Sequence, residues 1–242
     1  MAYGIFAEFY DGLTQDVDYA EKAEYLLELF RRFSHEPGVT LDLACGTGSL
    51  AVELKQRGVD VFGADMSSEM LTQAQLKSSE IMFVRQKMQS LTLPMQIDSC
   101  VCTLDSISHL PGAGEVSKAF SRVSEYLAEG GMFVFDVNTP YKHEKILGNN
   151  TFVYDTEDVY LVWQNTFHES DCSVKIELDF FAPSGNKYER YSENFREFAY
   201  PADEITKMLE ENGFELLAVY DGATFSPPKE TSDRLTFAAR KI

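Results

Sequence analysis

Basic residues are scarce in this sequence. Only 21 Lys and Arg stand against 39 Asp and Glu, a net charge of −18 over 242 residues. Their densest spots are mere pairs, Arg31-Arg32 and Arg240-Lys241. So acidic a surface repels the phosphates of nucleic acids and anionic lipids, and neither is an expected partner. No apolar run reaches the roughly 18 residues that a membrane-spanning helix needs. The stretch MAYGIFAEFYDGL lacks a basic segment followed by an apolar one, so a secretory leader is not expected and the cytoplasm is the expected location. Cysteine is sparse as well: Cys45, Cys100, Cys102 and Cys172 include no second pair at zinc-site spacing. They read as small buried thiols in a reducing compartment, with no metal site expected. No internal repeat and no low-complexity tract interrupts the chain.

Apolar and aromatic residues are plentiful, at 44% and 13% of the sequence, enough for a sizeable core. The segment DYAEKAEYLLELFRRF repeats Tyr25, Leu26, Leu29, Phe30 and Phe33 at helical steps, and Pro37-Gly38 ends it. Strand-like apolar runs then alternate with helices. Val39–Leu43, Val59–Ala64, Ile81–Val84, Asp98–Leu104 and Met132–Val137 read as strands; helices are predicted over Gly48–Arg57, Ser67 or Ser68 to Lys77, and Glu115–Leu127. Glu129-Gly130-Gly131 reads as the break before the fifth strand. Such alternation predicts a doubly wound, Rossmann-like α/β sheet whose parallel strands are buried on both faces. After Pro140 the period changes to two. VYLVWQNTF, SVKIELDFF and KYERYSENFREF predict an antiparallel β insert of three or four strands over 141–200. A helix from Pro201 or Ala202 to Glu211 follows, then strands Phe214–Tyr220 and Arg234–Arg240. With no helix between them, these last two form an antiparallel pair that completes seven strands. Residues 1–140 and 201–242 would thus be one domain, with the insert as a substrate lid or a dimer element.

One stretch carries chemistry: LDLACGTGSLAVELKQRGVDVFGAD, from Leu41 to Asp65. Gly46-Thr47-Gly48 opens a helix, and Asp65 follows Gly46 by 19 residues at the end of the second strand. Glycines let the backbone approach a ligand, the helix N-terminus offers free amides, and the carboxylate can take ribose hydroxyls. By spacing alone this suits a dinucleotide, so an NAD-dependent oxidoreductase is one reading. Asp42, just before the turn, favours another. A carboxylate there opposes a pyrophosphate and suits a ligand with a positive end, such as S-adenosylmethionine.

LDLACGTG, GADMSSEML, TLDSISHL and GGMFVFDVNTP, taken together, resemble successive motifs of the class I S-adenosylmethionine-dependent methyltransferases. FAEFYDGL near the start fits as well, and the likeness covers about residues 3–140 and 201–242. It extends to small bacterial methyltransferases with a β insert after the fifth strand and undefined substrate. The resemblance implies a seven-stranded sheet of the methyltransferase type with an antiparallel last strand, S-adenosylmethionine as cofactor and a small-molecule acceptor. It further implies that Gly46 and Gly48 let the backbone meet the methionine part, and that Asp42, or main-chain groups from Ala44 to Gly46, meets its ammonium. Asp65 would accept the ribose hydroxyls. Met66 would pack on adenine and Met88 would border the cofactor. Asp105 and Ser106 would line the transfer side, and Tyr10 would reach across. Lys87 stands where the family usually has an acid that reads the adenine amine. Lysine has no acceptor, so Gln86, Gln89 or a main-chain carbonyl would serve instead.

Methyl transfer asks mainly for alignment, so no catalytic set is required and none is evident. His109 in SISHLPG is the candidate base. His143 and His168 read as structural. Asn138 and Tyr141 follow the fifth strand and could border the acceptor. Trp163, Tyr188 and Tyr191 could form its aromatic wall, or simply core, and Arg196 could bind an anionic group. A non-catalytic S-adenosylmethionine-binding regulator remains an alternative, and strand edges in the insert could pair two copies into a homodimer.

Overall fold

The computed structural model describes residues 6–14 and 17–242; the residues 1–5 of the N-terminal reading, together with 15 and 16, lie outside it. Two short helices come first, α1 (Phe6–Leu13) and α2 (Tyr19–Arg32). Asp18 caps α2 by accepting the Glu21 amide at 2.8 Å. There follow β1 (Val39–Leu43), α3 (Ser49–Gln56), β2 (Asp60–Asp65), α4 (Ser68–Lys77), β3 (Phe83–Arg85), β4 (Ile97–Cys102), α5 (Ala113–Tyr126) and β5 (Leu127–Asn138). The insert contributes β6 (Thr151–Asp155), β7 (Tyr160–His168), β8 (Ser173–Ser184) and β9 (Lys187–Phe198). The chain closes with α6 (Ala202–Glu211), β10 (Phe214–Asp221) and β11 (Arg234–Lys241).

The main sheet has seven strands in the order β10-β11-β5-β4-β1-β2-β3. The first five strands run parallel, and β11 is antiparallel to both β5 and β10. Alternation along β5 supplies both faces: Phe133, Phe135 and Val137 enter one core, Met132 and Val134 the other. Phe120, Phe214 and Phe237 complete the first core, while Leu26, Leu29 and Phe30 of α2 cover the second.

One boundary departs from the sequence reading. The chain turns from α5 straight into β5 at Leu127, not after a loop at Glu129–Gly131. The glycine pair sits inside the strand, where the β4–β5 register shifts between Ile97 and Ser99. A Cβ on Gly131 would lie 2.8 Å from the Asp98 carbonyl oxygen, so the two backbones meet too closely for any side chain.

The second sheet is antiparallel, ordered β6-β7-β8-β9. Val174, Ile176, Leu178 and Phe180 alternate along β8 into one small core, against which Phe6, Phe9 and Leu13 of α1 pack. A left-handed Gly185 in the two-residue Gly185-Asn186 turn joins β8 to β9. Among the described residues no helix is long and apolar enough to cross a membrane. No group of His, Cys, Asp and Glu able to hold a metal is found among them either.

Candidate active site

The loops at the carboxyl ends of β1 and β4 are bent by left-handed residues. Ala44 and Gly46 follow β1 with φ of 58° and 54°; Leu104 and Asp105 follow β4 with φ of 56° and 53°. Such angles cost a non-glycine residue on the order of 1 kcal/mol or more and persist where surroundings enforce them. Asp136 on β5 does so here, accepting the Leu104 amide at 3.1 Å and the Asp105 amide at 2.6 Å. Ligands of open α/β sheets bind beyond these strand ends. A cavity of about 340 Å³ opens there, between the two sheets. From the main sheet it is lined by Ala44, Gly46, Asp65, Met66, Gln86 and Met88. Asp105, Ser106 and His109 border it after β4, and Tyr10 lines it from α1. Trp163, Phe195 and Glu197 close it from the second sheet.

At one end the glycine turn and Asp65 form a single unit. The Gly46 amide donates to Asp65 Oδ2 at 2.9 Å, and the Ser67 amide donates to Oδ1 at 2.8 Å. Burial pushes the Asp65 carboxyl up, and these amides oppose it. A Cβ on Gly46 would meet nothing within 4 Å, so the backbone here borders open space. Gly48 has a different reason to be glycine. Its Cβ would lie 2.8 Å from the Phe83 ring and 3.0 Å from Ala74, and it does not line the cavity.

A recess of about 30 Å³ adjoins the turn, lined by Tyr10, Tyr19, Asp42 and Thr47 among others. Asp42 is 2% exposed, and its Oδ2 has no hydrogen-bond partner among the described residues. Burial, followed by the nearby Asp65, pushes its carboxyl up to about 8. An orphaned acid of this kind calls for a cationic hydrogen-bond donor. Beside it, Thr47 donates to Asp11 at 2.7 Å and Asp11 pairs with Lys77 at 2.6 Å, fastening α1 over the turn.

At the other end lies a network that the sequence reading missed, apart from Asp105, His109 and Asn138. Arg234 bridges Asp105 at 3.0 Å and Asp136 at 2.6 Å, with Lys22 3.7 Å from Asp136. Asn138 Nδ2 donates to Asp105 at 2.5 Å and to Glu197 at 3.0 Å, while its Oδ1 accepts from Lys142 at 2.8 Å. Burial alone would raise the Asp105 carboxyl, but Arg234, Lys142 and His109 outweigh it and hold it well below the usual range. Burial, then the charge of Asp105, pushes Glu197 up to about 8. Burial also lowers His109 against the attraction of Asp105.

The other predicted residues divide into those that line the cavity and those that do not. On β9, Phe195 and Glu197 face the cavity, whereas Arg196 faces away. Arg196 sits 3.4 Å from both Asp171 and His168, so it is no anchor inside the pocket. Tyr188 is 66% exposed at the far end of β9, and Tyr191 donates to Glu189 at 2.6 Å; neither lines the cavity. Trp163 does, its indole donating to Asn165 at 2.7 Å beside the Tyr154 ring. Tyr141 is half-buried outside the lining, and His143 is buried behind it. Lys87 is exposed, while Gln86 and Met88 on either side of it line the cavity. Arg234 had one sequence signal, its place at the start of the last predicted strand; in the structure it pairs in register with Asn138, where β5 ends.

The profile of a family described as a methyltransferase domain matches residues 40–131. YqeM of Bacillus subtilis (strain 168), which bears a provisional methyltransferase name, is 33% identical over the whole of this chain and 98% of its own length. A crystal structure of an S-adenosylmethionine-dependent methyltransferase from Clostridium acetobutylicum ATCC 824 superposes with a TM-score of 0.89 at 32% identity, covering 99% of this chain and 98% of that one. The dTDP-3-amino-3,6-dideoxy-alpha-D-glucopyranose N,N-dimethyltransferase of Streptomyces fradiae is 30% identical over 55% of this chain and 53% of its own length. With its seven-stranded sheet and antiparallel β11, this chain belongs to the S-adenosylmethionine-dependent methyltransferases. It is an enzyme of that type, and S-adenosylmethionine is its cofactor.

Proposed function

We propose that the cavity between the sheets is where a methyl group passes to a small amine. One observation carries this reading. The glycine turn and Asp65 form one wall of the cavity, and Trp163, Phe195 and Glu197 form the opposite wall. In this reading Asp42 receives the cofactor's ammonium, which would satisfy its orphaned Oδ2. Ala44 and Gly46 give its methionine part room, and Asp65 takes the ribose hydroxyls with the lone pairs its two amide donors leave over. Met66 and Met88 pack on adenine, Gln86 is placed to read its edge, and Tyr10 crosses above.

S-adenosylmethionine supplies an electrophilic methyl group, so the protein's part is to align and to exclude water. Asp105 and Ser106 border the transfer side. Trp163 and Phe195 give the acceptor an apolar wall, Asp105 and Glu197 offer acceptors to its N–H groups, and His109 can take its proton. The net charge of −18 supports a cationic or neutral acceptor over a phosphate ester or nucleic acid. Arg234, the guanidinium in the lining, already bridges two carboxylates. The Streptomyces relative acts, by its name, on an amino sugar, which supports an amine as the group methylated.

The same reading makes 141–200 the acceptor-selecting part and the remainder the cofactor-binding part. Exposed Val153 and Tyr154 on edge strand β6, and Tyr188 on edge strand β9, support a homodimer. The acidic surface and reduced cysteines support a cytoplasmic enzyme. Calorimetry with S-adenosylmethionine, S-adenosylhomocysteine and NAD tests the first half, with binding of the first two alone expected. Incubating the protein with methyl-labelled cofactor and a panel of small amines and alcohols tests the second. Transfer to alcohols only would overturn the amine assignment.

A further inference from the structure

His143 is completely buried, and its Nδ1 lies 3.0 Å from the Cys172 carbonyl oxygen. A carbonyl only accepts, so Nδ1 carries the hydrogen. The neutral ring therefore leaves a bare lone pair on Nε2. That nitrogen has no hydrogen-bond partner among the described residues. Glu197 Oε2 lies 3.8 Å from it, longer than a hydrogen bond, so the carboxyl must turn for the two to bond. Of the two forms of Glu197, only the acid can donate to it. Glu197 Oε1 lies on the other side, 3.8 Å from His109 Nε2, and both residues line the cavity.

We propose that Glu197 is held as a neutral carboxyl with its proton aimed at His143 Nε2, so that its other oxygen orients the uncharged amine of the acceptor. This rests on the cavity being the methyl-transfer site. His143 is then a positioning residue that acts through Glu197. The chemistry needs such a device. An amine is a nucleophile only while its lone pair is free. The Asp105 carboxylate beside it is already paired with Arg234; a second carboxylate without such a cation, in a poorly solvated cavity, would stabilise the ammonium form that cannot react. A neutral carboxyl still accepts an N–H bond but does not favour that charge.

The groups packed around Glu197 fit this state. Burial raises it, as does Asp105 after β4; Lys142, in the short helical segment after β5, and Arg234 on β11 pull the other way without prevailing. Arg234 is committed to Asp105 and Asp136, and Lys142 to Asn138 Oδ1. Asn138 Nδ2 donates to Glu197 Oε2 and favours the carboxylate, but a carboxyl hydroxyl oxygen can still accept that bond, more weakly. His109 and His143 are both lowered, chiefly by burial, so neither ring competes for the proton at neutral pH.

Difference infrared spectroscopy on the full chain tests the proton. Wild type at pH 7 should show a protonated-carboxyl band that is absent in Glu197→Gln and retained in Asp42→Asn, the other buried acid with a raised value. The band should vanish as pH rises through about 8. His143→Phe, which removes the acceptor of that proton, should shift its loss to lower pH. Nitrogen-15 spectra of wild type should show the His143 ring with hydrogen on Nδ1 only. No band difference between wild type and Glu197→Gln at pH 7, or a His143 ring carrying hydrogen on Nε2, overturns the proposal. Calorimetry of wild type with S-adenosylmethionine keeps the two levels apart. Failure to bind removes the cavity reading, whatever the carboxyl shows.

Discussion

The Gly46 amide donates to Asp65 Oδ2 at 2.9 Å, which ties the turn after β1 to the end of β2. One carboxylate thereby fixes the shape of the glycine turn and borders the cavity that the turn faces. Asp65→Ala removes both functions. In the proposed site it also removes two charge-assisted bonds to ribose, each worth roughly 1.5–3 kcal/mol. Cofactor affinity should fall at least about tenfold by calorimetry. Unchanged binding would remove Asp65 from the site.

Asp42 predicts a proton linkage. Its carboxyl, pushed up to about 8, is mainly protonated at pH 7. A bound ammonium favours the carboxylate and lowers that value, so binding must release a proton. Affinity should therefore rise with pH from about 6 towards 8, where Asp42 ionises without help. Calorimetry in buffers of different ionisation enthalpy measures the release directly. Asp42→Asn should abolish it. Release that persists in that variant would mean that another group carries the linkage.

How far the sequence reached follows from how local each feature is. Asp42, the glycine turn and Asp65 lie within one βαβ unit, whose spacing fixes their geometry, and they meet as that spacing implies. The far end is assembled from β5, β9 and β11, which no spacing relates. Period two in ENFREF shows that neighbours point to opposite faces but not which face meets the cavity. The chemistry of the residues offered Arg196 as an anion anchor or an ordinary surface charge; the sheet turns Phe195 and Glu197 inward and leaves Arg196 outside. A buried glutamate has no signature in sequence, because its neighbours here, Asn138 and His143, come from another strand and from the short helical segment after it. Gly48 was legible as a glycine, yet the reason is its approach to Phe83 and Ala74.

Lys87 separates position from role. It replaces the expected acid but is exposed, while Gln86 lines the cavity and donates to the Thr92 carbonyl at 3.1 Å. Lys87→Ala should leave cofactor affinity within a few-fold, since pinning a solvated lysine would cost rotamer entropy. A loss beyond tenfold in the same titration would give Lys87 a direct part in binding.

Phe180 is fully buried and carries α1 on the second sheet, its ring 5.7 Å from Phe6 and 6.3 Å from Phe9. Truncating a buried phenylalanine costs about 3–5 kcal/mol. Phe180→Ala should lower stability by that order in denaturant titration, with faster proteolysis at α1 under native conditions. Lost stability with unchanged cleavage there would show that α1 is held chiefly by the Asp11–Lys77 pair.

The last test sets the two faces of the second sheet against each other. Trp163 lines the cavity, and Arg196 pairs with Asp171 on the outside, 41% exposed. An exposed pair of this kind contributes about 0–1 kcal/mol. Arg196→Ala should therefore leave cofactor binding, stability and methyl transfer near wild type. Trp163→Ala removes an apolar wall on the acceptor side, far from Asp42 and the glycine turn. Its effect should appear in the acceptor's KM, raised at least about fivefold by a loss of roughly 1 kcal/mol or more of apolar burial, while the cofactor's Kd holds. Steady-state kinetics with whichever amine the screen returns, beside calorimetry of the cofactor, separates the two constants. Equal losses in both would mean that Trp163 supports the whole cavity and selects nothing. A selective loss in Arg196→Ala instead would place the acceptor on the outer face of β9.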